Sequence, residues 1–207
     1  MGRRSDHSRE QLQEMIIDAA LNLVKQRGAD KVTARQIATA VGYTPGMLYS
    51  VFINLQDIFL HVNTIGVNAL YDRCARAQRN SSSPEEAIRS MGRTYLEFAR
   101  EHTHQFDLMF TRSIQHPETP PPGLGDQIRT LFELLCTQLQ QLRPSASDKE
   151  IRQGALALWS GVHGTAALRL SSQLHLEAPD ADVQIVDLLA SSFLRHWQEC
   201  TATHPGK

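Results

Sequence analysis

Residues 33–52, TARQIATAVGYTPGMLYSVF, constrain the fold more than any other stretch, because their start and stop signals leave room only for two short helices at a sharp turn. Thr33 can cap the first, with Gln36 three residues on completing a capping box, and Ile37, Ala38 and Val41 supply its apolar face. Gly42 is placed to take the left-handed backbone that ends it. Thr44 can cap the second helix, and Pro45 suits its first position, where a missing N–H costs nothing. Leu48, Val51 and Phe52 follow at helical spacing and would face a core.

The outward positions carry the functional signal. Thr44, Gly46, Met47, Tyr49 and Ser50 lie at or near the N-terminal end of the second helix, the end that a recognition helix inserts into the major groove, and none is acidic. Gly46 lets backbone approach closely, while the hydroxyls of Thr44, Tyr49 and Ser50 can contact phosphates or base edges. Arg35, on the preceding helix, could meet a guanine in bidentate fashion. A three-helix bundle with no nucleic-acid role would also need a turn glycine and a capped short helix, but it would not need the rest of these features together.

Residues 8–60 resemble the DNA-binding domain of the tetracycline-repressor (TetR) family of transcriptional regulators. Ile17, Ala19, Ala20 and Leu23 ahead of Arg27-Gly28 resemble that family's first helix, residues 32–52 its second and third, and Asn54, Asp57 and Ile58 the start of its fourth. The resemblance implies that Thr33 and Tyr49 hold phosphates and that Arg35, Thr44, Pro45, Gly46, Met47 and Ser50 face bases. One departure stands out: Leu55 occupies the place of a lysine that anchors a phosphate in the resemblance. Its absence implies a salt dependence shallower by about one unit of slope per phosphate contact removed.

Composition fits this picture without proving it. A chain of 207 residues, 41% of them hydrophobic, can bury a core as one moderate domain or two small ones. Apolar runs are short and the first ten residues lack a signal-peptide core, so a soluble cytoplasmic protein without membrane contact is expected. Cys74, Cys136 and Cys200 are widely spaced with no CxxC pair, which argues against disulfides and cysteine zinc sites. Charge is less supportive of DNA binding: residues 1–60 hold seven Lys and Arg against six Asp and Glu, and residues 61–207 fourteen against sixteen. Arg3, Arg4 and Arg9 form a short basic arm that would either add phosphate contacts or remain a solvated tail.

The chain is expected to be all-α, with about nine helices and no internal repeat, divided into a helix-turn-helix domain over 1–54 and a helical effector-binding and dimerisation domain over 55–207. The expected helices run from about Ser8 to Arg27, Leu55 to Gln78, Pro84 to His102, Gln105 to Arg112, Asp126 to Leu142, Asp148 to Ser172 and Ala181 to Glu199, besides the pair in residues 33–52. On the first, Leu12, Ile16, Ala19, Ala20 and Leu23 would face inward. The segment HPETPPPGLG, 116–125, is expected to be a connecting loop, with proline-rich recognition as the alternative.

The eighth and ninth helices look too apolar for one-sided burial. On the ninth, Val183, Val186, Ala190, Phe193 and Trp197 make one stripe and Ile185, Leu188, Leu189 and Ser192 another. The eighth carries Ala155, Gly161, Gly164, Ala166 and Ala167, small residues that allow close approach. These helices suit a homodimer seam, or else a thick intramolecular core. Trp159, His163 and Gly164 resemble the Trp-x-x-x-His-Gly pattern of a TetR subgroup, and residues 97–110 resemble the segment closing its pocket. The resemblance implies a small-molecule site lined by Tyr95, Phe98, Phe106, Met109, Phe110, Trp159 and His163, although each could equally be ordinary core.

His102 and His104, near Glu101 and Asp107, lack a placed third ligand, so no metal is expected, and no cofactor motif is present. Nucleotide-loop, HExxH and GxSxG motifs are absent, which argues against an enzyme. The expected function is a transcriptional regulator, a repressor released from a pseudo-palindromic operator by a small, apolar or aromatic effector. The alternative is a helical ligand-sequestering or protein-interaction module that has lost DNA binding.

Overall fold

The computed structural model describes residues 7–110, 124–173, 178 and 180–199. Among them the chain forms nine α-helices and a 3-10 turn, with no strand. The helices are α1 (Arg9–Arg27), α2 (Ala34–Val41), α3 (Pro45–Leu48), α4 (Leu55–Arg79), α5 (Pro84–Glu101), α6 (Thr103–Phe110), α7 (Leu124–Leu142), α8 (Asp148–Leu170) and α9 (Ala181–Glu199). The all-α expectation holds, and α9 has the predicted bounds. α6 starts two residues earlier than expected. Most of the proline-rich segment lies outside the described residues, but Leu124 and Gly125 belong to α7 rather than to a loop. α8 stops at Leu170 because Ser172 turns left-handed (φ 56°), and Gln173 N–H returns to the Leu168 carbonyl at 2.9 Å.

Two compact units emerge from the packing. The first takes the described residues up to Asn68 together with those of His102–Gly125. Here Leu12, Ile16, Ala20 and Val24 recur every fourth residue along α1 and are buried against Ile37, Leu48, Phe52, Ile58, Val62 and Leu108. Val24 completes the stripe, whereas Ala19 and Leu23 sit half-buried at its margin. Ser8 caps α1 through a capping box with Gln11. α6 packs on α1, so the compact unit reaches beyond the 54/55 division drawn on functional grounds. That packing places Leu108 in the core and Phe106 among its fully buried side chains.

The second unit comprises residues 69–101 and the described residues from Asp126 onward. α5, α8 and α9 pack mutually. The small residues of α8 turn out to serve this intramolecular contact. A Cβ on Gly161 would lie 2.9 Å from a Leu189 methyl, and one on Gly154 would lie 2.8 Å from the Trp197 ring. Ala155 and Ala166 are buried as well. Of the group expected at a dimer seam, Gly164 has nothing within 4 Å of the position a Cβ would take. Asp182, fully buried at the head of α9, joins Arg100 of α5 and Arg169 of α8, and Arg93 makes a bidentate pair with Asp187 at 2.9 and 2.8 Å. The Asp182 triad was not foreseen, although its spacing four residues before Val186 puts it on the stripe that faces inward.

Candidate nucleic-acid interface and effector site

The α2–α3 pair is built by local signals. Thr33 has extended backbone, its hydroxyl accepts the Gln36 N–H at 3.3 Å, and its own N–H donates to Gln36 Oε1 at 2.8 Å. Gly42 is left-handed (φ 77°, ψ 23°), and Tyr43 N–H reaches the Ala38 carbonyl at 2.9 Å to close the turn. Thr44 occupies the N-cap position of α3 with Pro45 next, but its hydroxyl makes no capping bond, contrary to expectation. The reason is the tightness of this one-turn helix: the Met47 N–H that a cap would bind is taken by the Thr44 carbonyl at 3.0 Å. Leu48 and Phe52 are buried and fasten α3 to the core.

This scaffold exposes Thr33, Arg35, Thr44, Pro45, Gly46, Tyr49 and Ser50. Tyr49 keeps 48% of its surface in solvent, so its hydroxyl is accessible to a phosphate. Met47 differs, being half-buried and packed on the core, so it can show only part of its side chain. Two hydroxyls are already committed. Ser50 donates to the Met47 carbonyl at 2.7 Å and Thr33 to Gln36 Oε1 at 3.1 Å, so each would have to exchange that acceptor for one on DNA, a base edge for Ser50 and a phosphate for Thr33. Arg35 is the sole charged residue of 33–52.

Leu55 is half-buried and packs against the core of the first unit, which accounts for an apolar side chain there. The start of α4 is closed by its own cap: Asn54 Oδ1 accepts the Asp57 N–H and Asp57 Oδ2 accepts the Ile53 N–H, both at 2.9 Å. The spacing of Asn54 and Asp57 carried that signal in the sequence. Arg9 opens α1, while Arg3 and Arg4 lie outside the described residues.

Three of the expected effector residues converge in the second unit. Tyr95 Oη lies 2.9 Å from His163 Nδ1, and the Trp159 and His163 rings stack at 5.0 Å between centroids with 18° between planes. Burial raises the Tyr95 pKa and lowers that of His163. The phenol therefore keeps its proton and the imidazole is neutral above its ordinary pKa, so the two groups share one hydrogen bond between uncharged partners. Phe98 has no exposed surface and lies under the Arg73 guanidinium at 5.6 Å, so it is core rather than the wall of a water-sized cavity. Phe106, Met109 and Phe110 belong to α6 in the first unit; Phe106 is buried and packs on Phe110 at 4.8 Å between centroids. A groove of about 320 Å³ between α7 and α8, lined by Glu133, Cys136, Gln140, Ile151 and Arg152 among others, contains none of the expected effector residues. It opens to solvent and carries charged side chains on its walls, unlike an enclosed site for an apolar effector.

The His163 shift has a testable consequence. Because the folded state depresses the pKa of this base below 6.5, the unfolded chain binds more protons, and the stabilisation is complete above that pH and lost as pH falls toward the folded value. Thermal denaturation between about pH 5 and pH 7 should show a steeper loss of Tm on acidification for the wild type than for His163→Asn. Parallel curves would show that His163 is not the group responsible.

A capped two-helix turn with an exposed, acid-free outer face defines the chain as a helix-turn-helix protein. It belongs to the tetR family: the family described as "Bacterial regulatory proteins, tetR family" matches residues 16–62, and "Tetracyclin repressor-like, C-terminal domain" matches residues 88–193. The HTH-type transcriptional regulator BetI of Rhizobium meliloti (strain 1021) is 25% identical over 166 residues, 79% of this chain and 81% of BetI. The fold is shared with a protein of unknown function from Rhodococcus sp. RHA1, at TM-score 0.73 and 18% identity over 95% of this chain and 98% of that one. A TetR-family transcriptional regulator from Bordetella parapertussis 12822 gives TM-score 0.64 and 19% identity over 89% and 95%. The chain is thus a DNA-binding transcriptional regulator and not an enzyme. Regulators of this family bind DNA and small effectors, typically as dimers. Among the described residues no three His, Cys, Asp or Glu side chains are grouped to hold a metal, and no helix is long and apolar enough to cross a membrane.

Proposed function

We propose that this regulator is a cytoplasmic repressor that binds a pseudo-palindromic operator as a homodimer and releases it when a small, largely apolar effector binds. The carrying observation is the reader itself, where Arg35, Thr44, Pro45, Gly46, Tyr49 and Ser50 stand exposed on a rigid turn free of acidic groups. Met47 and Thr33 support it, the first through its exposed edge and the second by capping α2. The dimer forms through the outward faces of α8 and α9, where Leu156, Leu168 and Leu188 stand exposed. Burial of such a face by a second copy places two reading helices about one helical turn of DNA apart.

The effector site is centred on Tyr95, Trp159 and His163, whose stacked rings and neutral polar groups suit an apolar or aromatic molecule with a hydrogen-bonding group. Phe98 supports that site as packing rather than as a direct ligand. Release follows if the effector favours one of two dispositions of α4, since a ligand shifts an equilibrium only by its differential affinity for the two states. The packing of Leu55 in place of a cationic anchor supports the alternative, a ligand-binding module without operator affinity.

Selection of bound duplexes from a random library by the purified chain distinguishes the two. Recovery of a pseudo-palindrome supports the repressor, whereas no enrichment by a folded dimer supports the alternative. On the selected duplex, Tyr49→Ala should weaken binding roughly 10- to 150-fold, the cost of about 1.5–3 kcal/mol for removing a hydrogen bond to a charged phosphate, and leave the oligomeric state unchanged. Unchanged affinity at moderate salt would remove Tyr49 from the interface.

A further inference from the structure

The outward face of the reader does not end with α3. Beyond Leu48, the Val51 and Phe52 N–H groups both return to the Leu48 carbonyl, at 3.0 and 2.9 Å, so helical winding continues through Phe52. Burial repeats with the same step. Leu48 and Phe52 are buried, Met47 and Val51 are half-buried, and Gly46 and Ser50 are exposed. Tyr49 and Ile53 complete the series as an exposed pair one turn apart.

Ile53 is out of place on that face unless something covers it. It keeps 78% of its surface in solvent, more than any other large hydrophobic side chain among the described residues. Its mount is rigid: the Ile53 N–H donates to Asp57 Oδ2 and the Asp57 N–H to Asn54 Oδ1, both at 2.9 Å, which ties the residue to the start of α4. A β-branched side chain also has little rotamer freedom to lose on docking.

What such a group can read follows from the chemistry of the major groove. Base edges there present hydrogen-bond donors and acceptors, which an aliphatic side chain can only desolvate, and one apolar feature, the C5 methyl of thymine. Arg35 is the sole charged residue of 33–52, so the end of this face has no cation with which to read a base. We infer that Ile53 is a specificity-determining residue that packs on a thymine methyl, one thymine in each half-site, beyond the bases faced by Thr44 to Ser50. The inference rests on the reading of α2 and α3 as the DNA reader and extends that reader past the end of α3.

The test compares thymine with uracil, which lacks only that methyl, on the duplex selected by the wild-type chain. Uracil replaces one thymine position at a time, in both half-sites together. At one position the wild type should lose roughly 15-fold in affinity, about fourfold for each methyl that binding removes from water. Ile53→Ser should bind the thymine duplex correspondingly more weakly and show no preference for thymine over uracil at that position, while Ile53→Val, which keeps the branched carbons, should retain most of it. Each preference is a ratio taken within one protein, so any change in folded fraction cancels. A selected half-site with no methyl-sensitive thymine, a preference that persists in Ile53→Ser, or a loss in Ile53→Ser that is equal on thymine and uracil duplexes would overturn the methyl contact and leave the DNA reading intact. A wild-type chain that selects no duplex would overturn both.

Discussion

Asp182→Ala is expected to destabilise the second unit by about 2–4 kcal/mol and to lower its melting temperature by several degrees per kcal/mol at most. The Asp182 carboxylate is fully buried at the start of α9, and Arg100 from α5 and Arg169 from α8 both reach it, each with a guanidinium Nε at 3.1 Å. Desolvating a carboxylate is costly, and here two cations and the Val183 N–H at 2.9 Å offset that cost. Alanine would leave two guanidinium groups facing each other over a void. Both keep about a third of their surface in solvent, which is why the expected loss falls below that of a wholly buried pair. Asp182→Asn, which preserves shape and one acceptor, should cost less than alanine. Differential scanning calorimetry would decide: a wild-type transition in Asp182→Ala would show that apolar packing alone holds α5, α8 and α9 together.

The triad also marks where sequence reading stopped. Capping boxes, turn glycines and N1 prolines act between residues three or four apart, so Thr33, Gln36, Gly42 and Pro45 could be assigned roles before any tertiary structure was known. Thr44 escaped because in a one-turn helix the Met47 amide that its hydroxyl would cap is taken by the Thr44 carbonyl. Periodicity gave α9 two apolar stripes but no means of telling which faces α5 and α8. The buried one runs Asp182, Val186, Ala190 and Leu194, headed by a charged residue that hydropathy sets outside. Small residues on α8 were ambiguous for the same reason, since Gly154 and Gly161 permit close approach by any helix, and the helix that approaches is α9 of the same chain. The docking of α6 on α1 joins residues some eighty positions apart and leaves no local trace. The Trp159–His163 stack follows from helical spacing, whereas the Tyr95 bond to the imidazole depends on the placement of α5.

With the proposed seam on α8 and α9, Leu188→Arg should convert the dimer to monomer and, through that alone, reduce operator affinity by about 10²- to 10⁴-fold. Leu188 is the most exposed large aliphatic side chain of α9, at 69%, so arginine there meets water in the isolated protomer and leaves the intramolecular core untouched. In a two-fold seam each substitution occurs twice, and two guanidinium groups without counter-charges would be desolvated against Leu156 and Leu168. The effect on DNA exceeds that of truncating any one side chain of the reader. A single reading head has only Arg35 as a charged group in its two short helices, and it gains the second half-site at the effective concentration that the dimer confers. Sedimentation equilibrium and operator titration on the same sample separate the links. Monomer with a wild-type melting temperature and weakened binding supports the seam. A dimer that persists with Leu188→Arg places the two-fold contact elsewhere on the chain, and a monomer that binds the operator as tightly as wild type would refute bivalent reading.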